Sequence, residues 1–446
     1  MSVVCVVGLG YVGLTMAVCL SRKGFTVNGL DVDENKVRMI GAGRPPFHEP
    51  GLEDALTDAL MKGRLKVTPD YSIAIPKSEI IIITVGTPSN PDGSANLNFL
   101  EAAASGIGEQ LRSCQGFPLV VVRSTVPPLT TSNLIRNVLE KKSGKVCGSD
   151  FGLCHNPEFL REGSALDDTM RPDRLIIGEF DERSGDALQE FYHKFLGSPL
   201  PTVIRTTTSN SELIKLANNA FLAMKISYIN QMANLCQRVE DADVQVVATA
   251  IGLDKRIGPL FLQAGLGWGG SCFPKDLKAL LSFGKRLRVD LPLVETTTAI
   301  NDQQPLIAIR LADQLVGDLK GKKIAILGLA FKPDTDDMRE AVSIKIIKAF
   351  LEKGANVAAY DPSAMENARR ILMDARLEYC SSAEKCIDGA DCCVIVTEWQ
   401  EFKKLRPEDF ARMAKPIVID GRRILQHEEF EGLTFAAIGL ATGTDY

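Results

Sequence analysis

Gly8-Leu9-Gly10-Tyr11-Val12-Gly13 follows the apolar run Val3 to Val7 and precedes a helix-like stretch, Leu14 to Lys23, after which Phe25 to Leu30 ends at Asp31. Strand, glycine turn, helix and second strand make a βαβ unit. The glycines have separable duties. Gly8 permits the tight turn, Gly10 lets a phosphate approach the backbone, and Gly13 brings the helix against the strand, with the helix N-terminus facing the anion. Asp31 lies 23 residues after Gly8, near the offset of about 20 at which an acid takes a ribose hydroxyl. A carboxylate there repels a 2′-phosphate, so the turn predicts an NAD site rather than an NADP site.

The β-branched runs Ile80 to Val85 and Leu119 to Val122 extend the unit into a parallel sheet buried on both faces. The same order recurs later: Lys323 to Leu327 meets Gly328-Leu329-Ala330, a helix is predicted over Ser343 to Lys353, and Asn356 to Tyr360 ends at Asp361. Cys392 to Thr397 and Ile417 to Asp420 match the later strands of the first half. The second turn lacks the later glycines, so it is not built for a pyrophosphate. Residues 202–251 contain neither Pro nor Gly, and Ser209 to Glu240 reads as one long helix opened by a Thr/Ser-rich cap. The predicted fold is therefore α/β: two doubly wound, Rossmann-like domains joined by a long central helix, divided as residues 1–200, 201–305 and 306–446.

Composition narrows the function classes. A chain of 446 residues with 45% apolar and 24% charged residues is long enough for several cores and too apolar for disorder. Fifty-one basic against 56 acidic side chains leave a formal charge of −5, without the basic excess of a nucleic-acid binder. No stretch approaches the roughly 18 apolar residues of a membrane helix, and the N-terminus shows no basic secretory leader. The 11 cysteines include no C-x-x-C pair and the four histidines no metal-binding spacing, which argues against disulfides and against any metal, and for a reducing cytoplasm.

Two further constellations carry chemistry. In Gly267-Trp268-Gly269-Gly270-Ser271-Cys272-Phe273-Pro274-Lys275-Asp276 the glycines allow close approach of a ligand, and Pro274 suits a first helical turn. That places Cys272 at a helix N-terminus, where a thiolate is favoured and becomes a nucleophile. The other ten cysteines read as small buried hydrophobes. Lys215 and Asn219 share a helix face, where an ammonium and a carboxamide can hold a developing alkoxide. On spacing alone, however, such a pair is a solvated surface pair, and so are Glu158 and Glu162 in His155-Asn156-Pro157-Glu158-Phe159-Leu160-Arg161-Glu162. Arg256, Lys332, Arg339, Arg422 and Arg423 stand in or near turns as candidate phosphate clamps.

In order along the chain, these stretches resemble the UDP-glucose 6-dehydrogenase family of nucleotide-sugar dehydrogenases. The match is carried by Gly8 to Gly13, Thr84-Val85-Gly86-Thr87-Pro88, Ser124-Thr125-Val126-Pro127, Asn156-Pro157-Glu158-Phe159-Leu160, Lys215 with Asn219, Arg256-Ile257-Gly258, Gly269-Gly270-Ser271-Cys272 and Phe331-Lys332-Pro333. The resemblance implies oxidation of a sugar C6 alcohol to a carboxylate with two NAD⁺. Cys272 would attack the C6 aldehyde, Lys215 and Asn219 would stabilise the oxyanion, and Asp276 with Thr125 and Glu158 would prepare water for thioester hydrolysis. It also implies NAD contacts from Gly8, Gly10, Tyr11, Val12, Gly13, Asp31, Lys36, Thr87, Thr125, Glu162, Lys275 and Arg339. A UDP-sugar would meet Glu158, Phe159, Leu160, Lys215, Asn219, Arg256, Gly269, Cys272, Phe331, Lys332 and Arg422. In the family the first domain holds NAD, the last holds UDP, the active site lies between them, and the central helix is the core of a homodimer.

Two departures from the family pattern stand out. Pro128-Leu129-Thr130 replaces a segment with glycine before the threonine, and Trp268 is bulkier than the family's residue; either is expected to reshape sugar preference. Sister enzymes act on other UDP-hexoses, UDP-N-acetylhexosamines such as UDP-N-acetylmannosamine, or GDP-mannose, and Ser271 to Asp276 is more similar to the glucose branch. A two-electron β-hydroxyacid dehydrogenase shares the first domain and the Lys/Asn pair but has no use for Cys272 or a second nucleotide-like domain.

Overall fold

The computed structural model describes residues 2–430 and 432–441. By internal contacts the chain forms two compact units, Met1–Asn218 with Lys278–Arg288, and Asn219–Leu277 with Val289–Tyr446. Each carries a doubly wound sheet, and the helix Thr208–Cys236 links them.

In the first unit β1 (Val3–Val7), β2 (Thr26–Leu30), β3 (Leu65–Thr68), β4 (Ile80–Ile83), β5 (Leu119–Val122), β6 (Gly152–His155), β7 (Arg174–Glu179) and β8 (Thr202–Thr207) lie in the order β3-β2-β1-β4-β5-β6-β7-β8. Chain order reverses at β1, which pairs with both β2 and β4, so Val7 is in register with Leu30 on one side and Ile83 on the other. Ligands of such sheets bind beyond the strand ends at that reversal. The β4 run Ile80–Ile83 is buried throughout, as a central parallel strand requires. One pairing departs from the all-parallel expectation: β6 and β7 are antiparallel, Cys154 opposite Glu179.

The second unit orders β9 (Lys323–Leu327), β10 (Asn356–Tyr360), β11 (Leu377–Tyr379), β12 (Cys392–Ile395), β13 (Ile417–Asp420) and β14 (Thr434–Ala437) as β11-β10-β9-β12-β13-β14, all parallel. Its core joins these strands to Ile229 and Ala233 of the long helix.

The long helix is shorter at its C-terminal end than the sequence suggests. It closes at Cys236 rather than Glu240 because Asp241 takes a left-handed φ of 59° and Asp243 starts a new helix, Val244–Gly252, by accepting the Gln245 N–H. Thr202 to Thr207, β-branched at five of six positions, forms β8 instead of a helical lead-in. Among the described residues no helix is long and apolar enough to cross a membrane, and no group of three His, Cys, Asp or Glu side chains is placed to hold a metal.

The departure at Leu129 has a backbone signature. Leu129 stands at φ 72°, ψ 3°, just before a π-helical turn, Thr130–Ile135. An L-residue pays roughly 1–2 kcal/mol for that left-handed conformation, which glycine adopts freely. Leu129→Gly is therefore expected to exceed Leu129→Ala in unfolding free energy by about 1 kcal/mol in urea titrations; equal stabilities would show that no such strain is stored.

Candidate active site

The first turn folds as its glycines dictate. Gly8 has φ 94°, and a Cβ on Gly13 would stand 1.9 Å from the Gly8 carbonyl oxygen, so helix Tyr11–Arg22 presses directly on the turn. A Cβ on Gly10, by contrast, would meet no atom within 4 Å, which leaves that face open to a phosphate. Thr84 locks the turn by donating its hydroxyl to the Gly8 carbonyl at 2.7 Å. Asp31, 6% exposed, accepts the Leu9 N–H at 2.8 Å and the Lys36 ammonium at 2.8 Å. The carboxylate is thus held at the end of β2 beside the glycines, and the residues fit a dinucleotide.

Glu158, Phe159 and Leu160 follow β6. Glu158 is buried, not a surface charge, and Lys215 is buried with it: its ammonium donates to the Glu158 carbonyl at 2.6 Å and to Oε1 at 3.0 Å. Burial alone would raise the Glu158 pKa, but Lys215, the Leu160 N–H and Arg123 outweigh it and hold the carboxyl below the ordinary range. The surface-pair reading of Lys215 and of Glu158 is corrected for one reason: helical spacing does not reveal which face is covered. Phe159 is held by two cations, with the Arg174 guanidinium 4.1 Å and the Lys215 ammonium 5.2 Å from its ring centre. Thr87 donates to the Thr125 carbonyl at 2.7 Å, joining two predicted cofactor residues. Glu162, half-buried, shares its loop with Gly163, whose N–H reaches the Tyr11 hydroxyl at 2.9 Å.

In the second unit Cys272 immediately precedes helix Phe273–Leu287, with Pro274 in the first turn as predicted. Asp276, one turn on and 1% exposed, accepts the Asn219 amide at 2.7 Å and the Lys275 ammonium at 2.5 Å. Asn219, like Lys215, is buried rather than solvated. The Cys272 Sγ lies 3.6 Å from the Ser271 hydroxyl, and of 11 cysteines the other ten are buried. The glycines of the loop are used to the full: a Cβ on Gly269 would stand 2.2 Å from the Glu340 carbonyl oxygen, and one on Gly270 2.6 Å from the Phe331 ring. Arg422 bonds the Gly267 carbonyl at 3.1 Å, so of the two adjacent arginines it is the one at the loop, while Arg423 pairs with Asp243.

Trp268 is packed inside the protein. Its indole N–H donates to Ser227 at 3.0 Å, its peptide N–H to Asn301 at 2.7 Å, and it is buried. The ring therefore braces the loop against the long helix through Ser227. Lys332 stands 5.7 Å from the Phe331 ring centre, and Arg339 is paired with Asp337. The Arg256 guanidinium, 88% exposed, pairs with Asp254 and not, among the described residues, with any group of the Cys272 cluster.

The turn after β9 repeats the first without its later glycines and with a different setting for its acid. Asp361 accepts the Leu329 N–H at 2.7 Å as Asp31 accepts that of Leu9, but its other contacts include the Trp399 indole at 3.0 Å. The carboxylate at the position that takes a ribose hydroxyl in the first turn's pattern is here capped by a tryptophan.

Two buried acids escaped sequence reading because their partners are distant in the chain. Glu212 accepts the Leu129 and Thr131 N–H groups. Glu49 accepts the Tyr11 hydroxyl and the N–H groups of Gly163 at 2.6 Å and Ala165 at 2.7 Å, tying the glycine turn to the loop that follows Glu158.

An open glycine turn with an acid at the end of the next strand, together with a glycine-bordered cysteine at a helix start, has the make-up of a nicotinamide-dependent dehydrogenase. Comparison with known proteins agrees. Residues 2–196, 209–303 and 325–427 match the NAD binding, central and UDP binding domains of the UDP-glucose/GDP-mannose dehydrogenase family. A UDP-glucose 6-dehydrogenase of Rhizobium meliloti is 43% identical, covering 97% of this chain and 98% of that protein. Another, of Haloferax volcanii, is 41% identical over 97% of this chain and 99% of its own length. A UDP-glucose dehydrogenase structure from Pyrobaculum islandicum superposes with a TM-score of 0.91 at 38% identity, covering 99% of this chain and 98% of that one. The chain belongs to the UDP-glucose/GDP-mannose dehydrogenase family. Its first unit is an NAD-binding domain, and its C-terminal sheet belongs to a UDP-binding domain.

The Glu49 knot makes a stability prediction. Glu49→Ala strands the buried Ala165 N–H and leaves the Gly163 N–H only the Tyr11 hydroxyl, and is expected to cost about 1–3 kcal/mol in chemical denaturation, with Glu49→Gln intermediate; an Ala variant as stable as the wild type would remove the knot from the account.

Proposed function

We propose that the protein oxidises the C6 alcohol of UDP-glucose to the carboxylate of UDP-glucuronate in two hydride-transfer steps, consuming two NAD⁺ and one water. The observation that carries this reading is Cys272: the one cysteine that is not buried, set at a helix start with Asp276 one turn beyond. NAD⁺, when bound, supplies the hydride acceptor. Residues 1–200 hold it, through the Gly8 to Gly13 turn and the Asp31 and Lys36 pair. Residues 306–446 hold the uridine diphosphate, with Phe331, Lys332 and Arg422 as contacts, and residues 201–305 carry the covalent chemistry.

The alcohol first loses a proton and a hydride to become the C6 aldehyde. The Cys272 thiolate adds to that carbonyl, forming a C–S bond and an alkoxide. An ammonium has three N–H donors, and Lys215 spends two on Glu158, so its third is available to that oxygen, with the Asn219 carboxamide beside it on the same helix. The thiohemiacetal is a better hydride donor than a free aldehyde, and its covalent link prevents escape. Loss of the second hydride leaves a thioester. Water, deprotonated with the help of Asp276 and positioned by Thr125 and Glu158, then adds to the carbonyl; the C–S bond breaks and the thiolate is regenerated. Asn219 and Lys275 keep Asp276 anchored through the cycle.

We further infer a cytoplasmic homodimer. The long helix exposes Leu213, Phe221, Tyr228 and Leu235 at intervals of seven to eight residues, a stripe that supports pairing with a second copy. Ten buried thiols suit a reducing compartment.

UDP-glucose with excess NAD⁺ should yield two NADH per sugar, and Cys272→Ser should stop or greatly slow acid production after the aldehyde stage; a ratio of one, or a Ser variant making acid at near wild-type rate, would remove the thioester. Phe221→Asp should halve the mass seen in sedimentation, whereas an unchanged mass would exclude this face as the dimer contact.

A further inference from the structure

Glu212 is a buried acid that the chemistry above does not use. It is 0% exposed and lies one turn before Lys215 on the long helix. Its Oε2 accepts the Leu129 N–H at 2.7 Å and its Oε1 the Thr131 N–H at 2.7 Å. Those two amides begin the π-helical turn Thr130–Ile135, and π-turns concentrate at functional positions. Upstream of them, Thr130 donates its hydroxyl to the Pro127 carbonyl at 2.6 Å, Thr87 bonds the Thr125 carbonyl, and Ser124 donates to the Val85 carbonyl at 2.6 Å. Between Thr125 and Leu129 stand Pro127 and Pro128, whose fixed φ angles let the segment move as a lever rather than absorb a shift. Leu129 itself is held in a left-handed conformation that needs an external restraint.

We propose that Glu212 is a positioning residue for Thr125: its two carboxylate oxygens clamp Leu129 and Thr131 to the helix that carries Lys215, and so fix where the Thr125 segment stands against bound NAD⁺. The inference rests on the reading of Thr125 as a cofactor and water contact. A carboxylate is suited to the task because it offers an acceptor to each of two N–H groups, whereas a carboxamide offers one acceptor and turns an N–H against the other.

The clamp titrates. Burial raises the Glu212 carboxyl to about 7, against the opposing pull of its Thr131, Leu129 and Thr130 donors. The ionisable groups on the elements packed around it are otherwise committed. Lys215 on its own helix pairs with Glu158, and Arg123 following β5 bonds Asn156 and Tyr192. His155 on β6 is pushed by burial to about 3 and is neutral. Because the folded-state pKa lies above the unfolded value, protonation favours the fold, and stability from this group falls as pH rises from about 4.5 to about 7. The clamp runs the other way: a proton on Glu212 removes one acceptor, so the hold on Leu129 and Thr131 weakens as pH falls through about 7.

The test is calorimetric binding of NAD⁺ and of UDP to wild type and Glu212→Gln between about pH 5.5 and 8.5, with amide exchange read by mass spectrometry. Wild type should bind NAD⁺ about tenfold more weakly at the acid end, a step centred near the Glu212 pKa. The Gln variant should bind weakly at every pH, with no such step, while UDP affinity is unchanged. Exchange should quicken over residues 127–135 and not elsewhere. Wild-type affinity and pH profile in the Gln variant, or uniformly faster exchange, would overturn the proposal. If the Gln variant does not fold, the wild-type profile decides alone: a flat NAD⁺ affinity across this range rejects the clamp, and a step near 7 mirrored in exchange of residues 127–135 supports it. If wild type reduces no NAD⁺ with UDP-glucose, the functional reading fails, while the binding and exchange results still judge Glu212.

Discussion

The buried ion pair between Lys215 and Glu158 is the constraint around which the first unit is arranged. Both side chains are nearly sealed from water, at 4% and 8% exposure. Stranding either charge would cost about 3–5 kcal/mol, so the segment after β6 and the long helix have to stay together. Around that pair the protein stacks further fixed contacts: Arg174 on Phe159, Arg123 on Asn156 and Tyr192, and Glu212 on the start of the π-turn. An ammonium desolvated in this way also meets a developing oxyanion with little competition from water, which is how a costly burial serves the reaction.

The fold was largely legible because its signals are local. The strand, glycine turn and helix around Gly8 fall within 31 residues, and the repeat at Gly328 is seen by the same rule. The boundary at Cys236 was not, since a left-handed Asp241 ends the helix without a glycine or proline to announce it. The site divides likewise. Cys272 at a helix start is readable from Pro274, whereas the glycines beside it, read as room for a ligand, are required by the closeness of Glu340 and Phe331, which no spacing reveals. Whether Lys215, Asn219 and Glu158 face solvent or core is decided by what packs on them, and the partners lie 57 residues away in the chain. Glu49 and Glu212 were invisible for the same reason, with partners from 38 to 116 residues away.

Family-level resemblance supplied roles that residue chemistry left open, and the geometry sharpened them. Arg422 rather than Arg423 meets the Gly267 loop because Arg423 is already bound to Asp243. The Trp268 indole bonds Ser227, so whatever it does for the sugar it also braces the Cys272 loop.

The tryptophan over Asp361 has a historical meaning. Both halves begin with the same device, an acid at the end of the second strand gripping the first turn. In the second half Trp399 fills the acid's remaining capacity and is itself buried. Reversal to a dinucleotide turn would require the indole to leave and glycines to return. Loss of the indole alone would leave a cavity and take one of three donors from a buried carboxylate oxygen, while glycines alone would loosen a turn with nothing to bind. Neither first step is neutral, so the divergence of the two halves works as a ratchet: once the plug was in place, the copies could no longer exchange tasks.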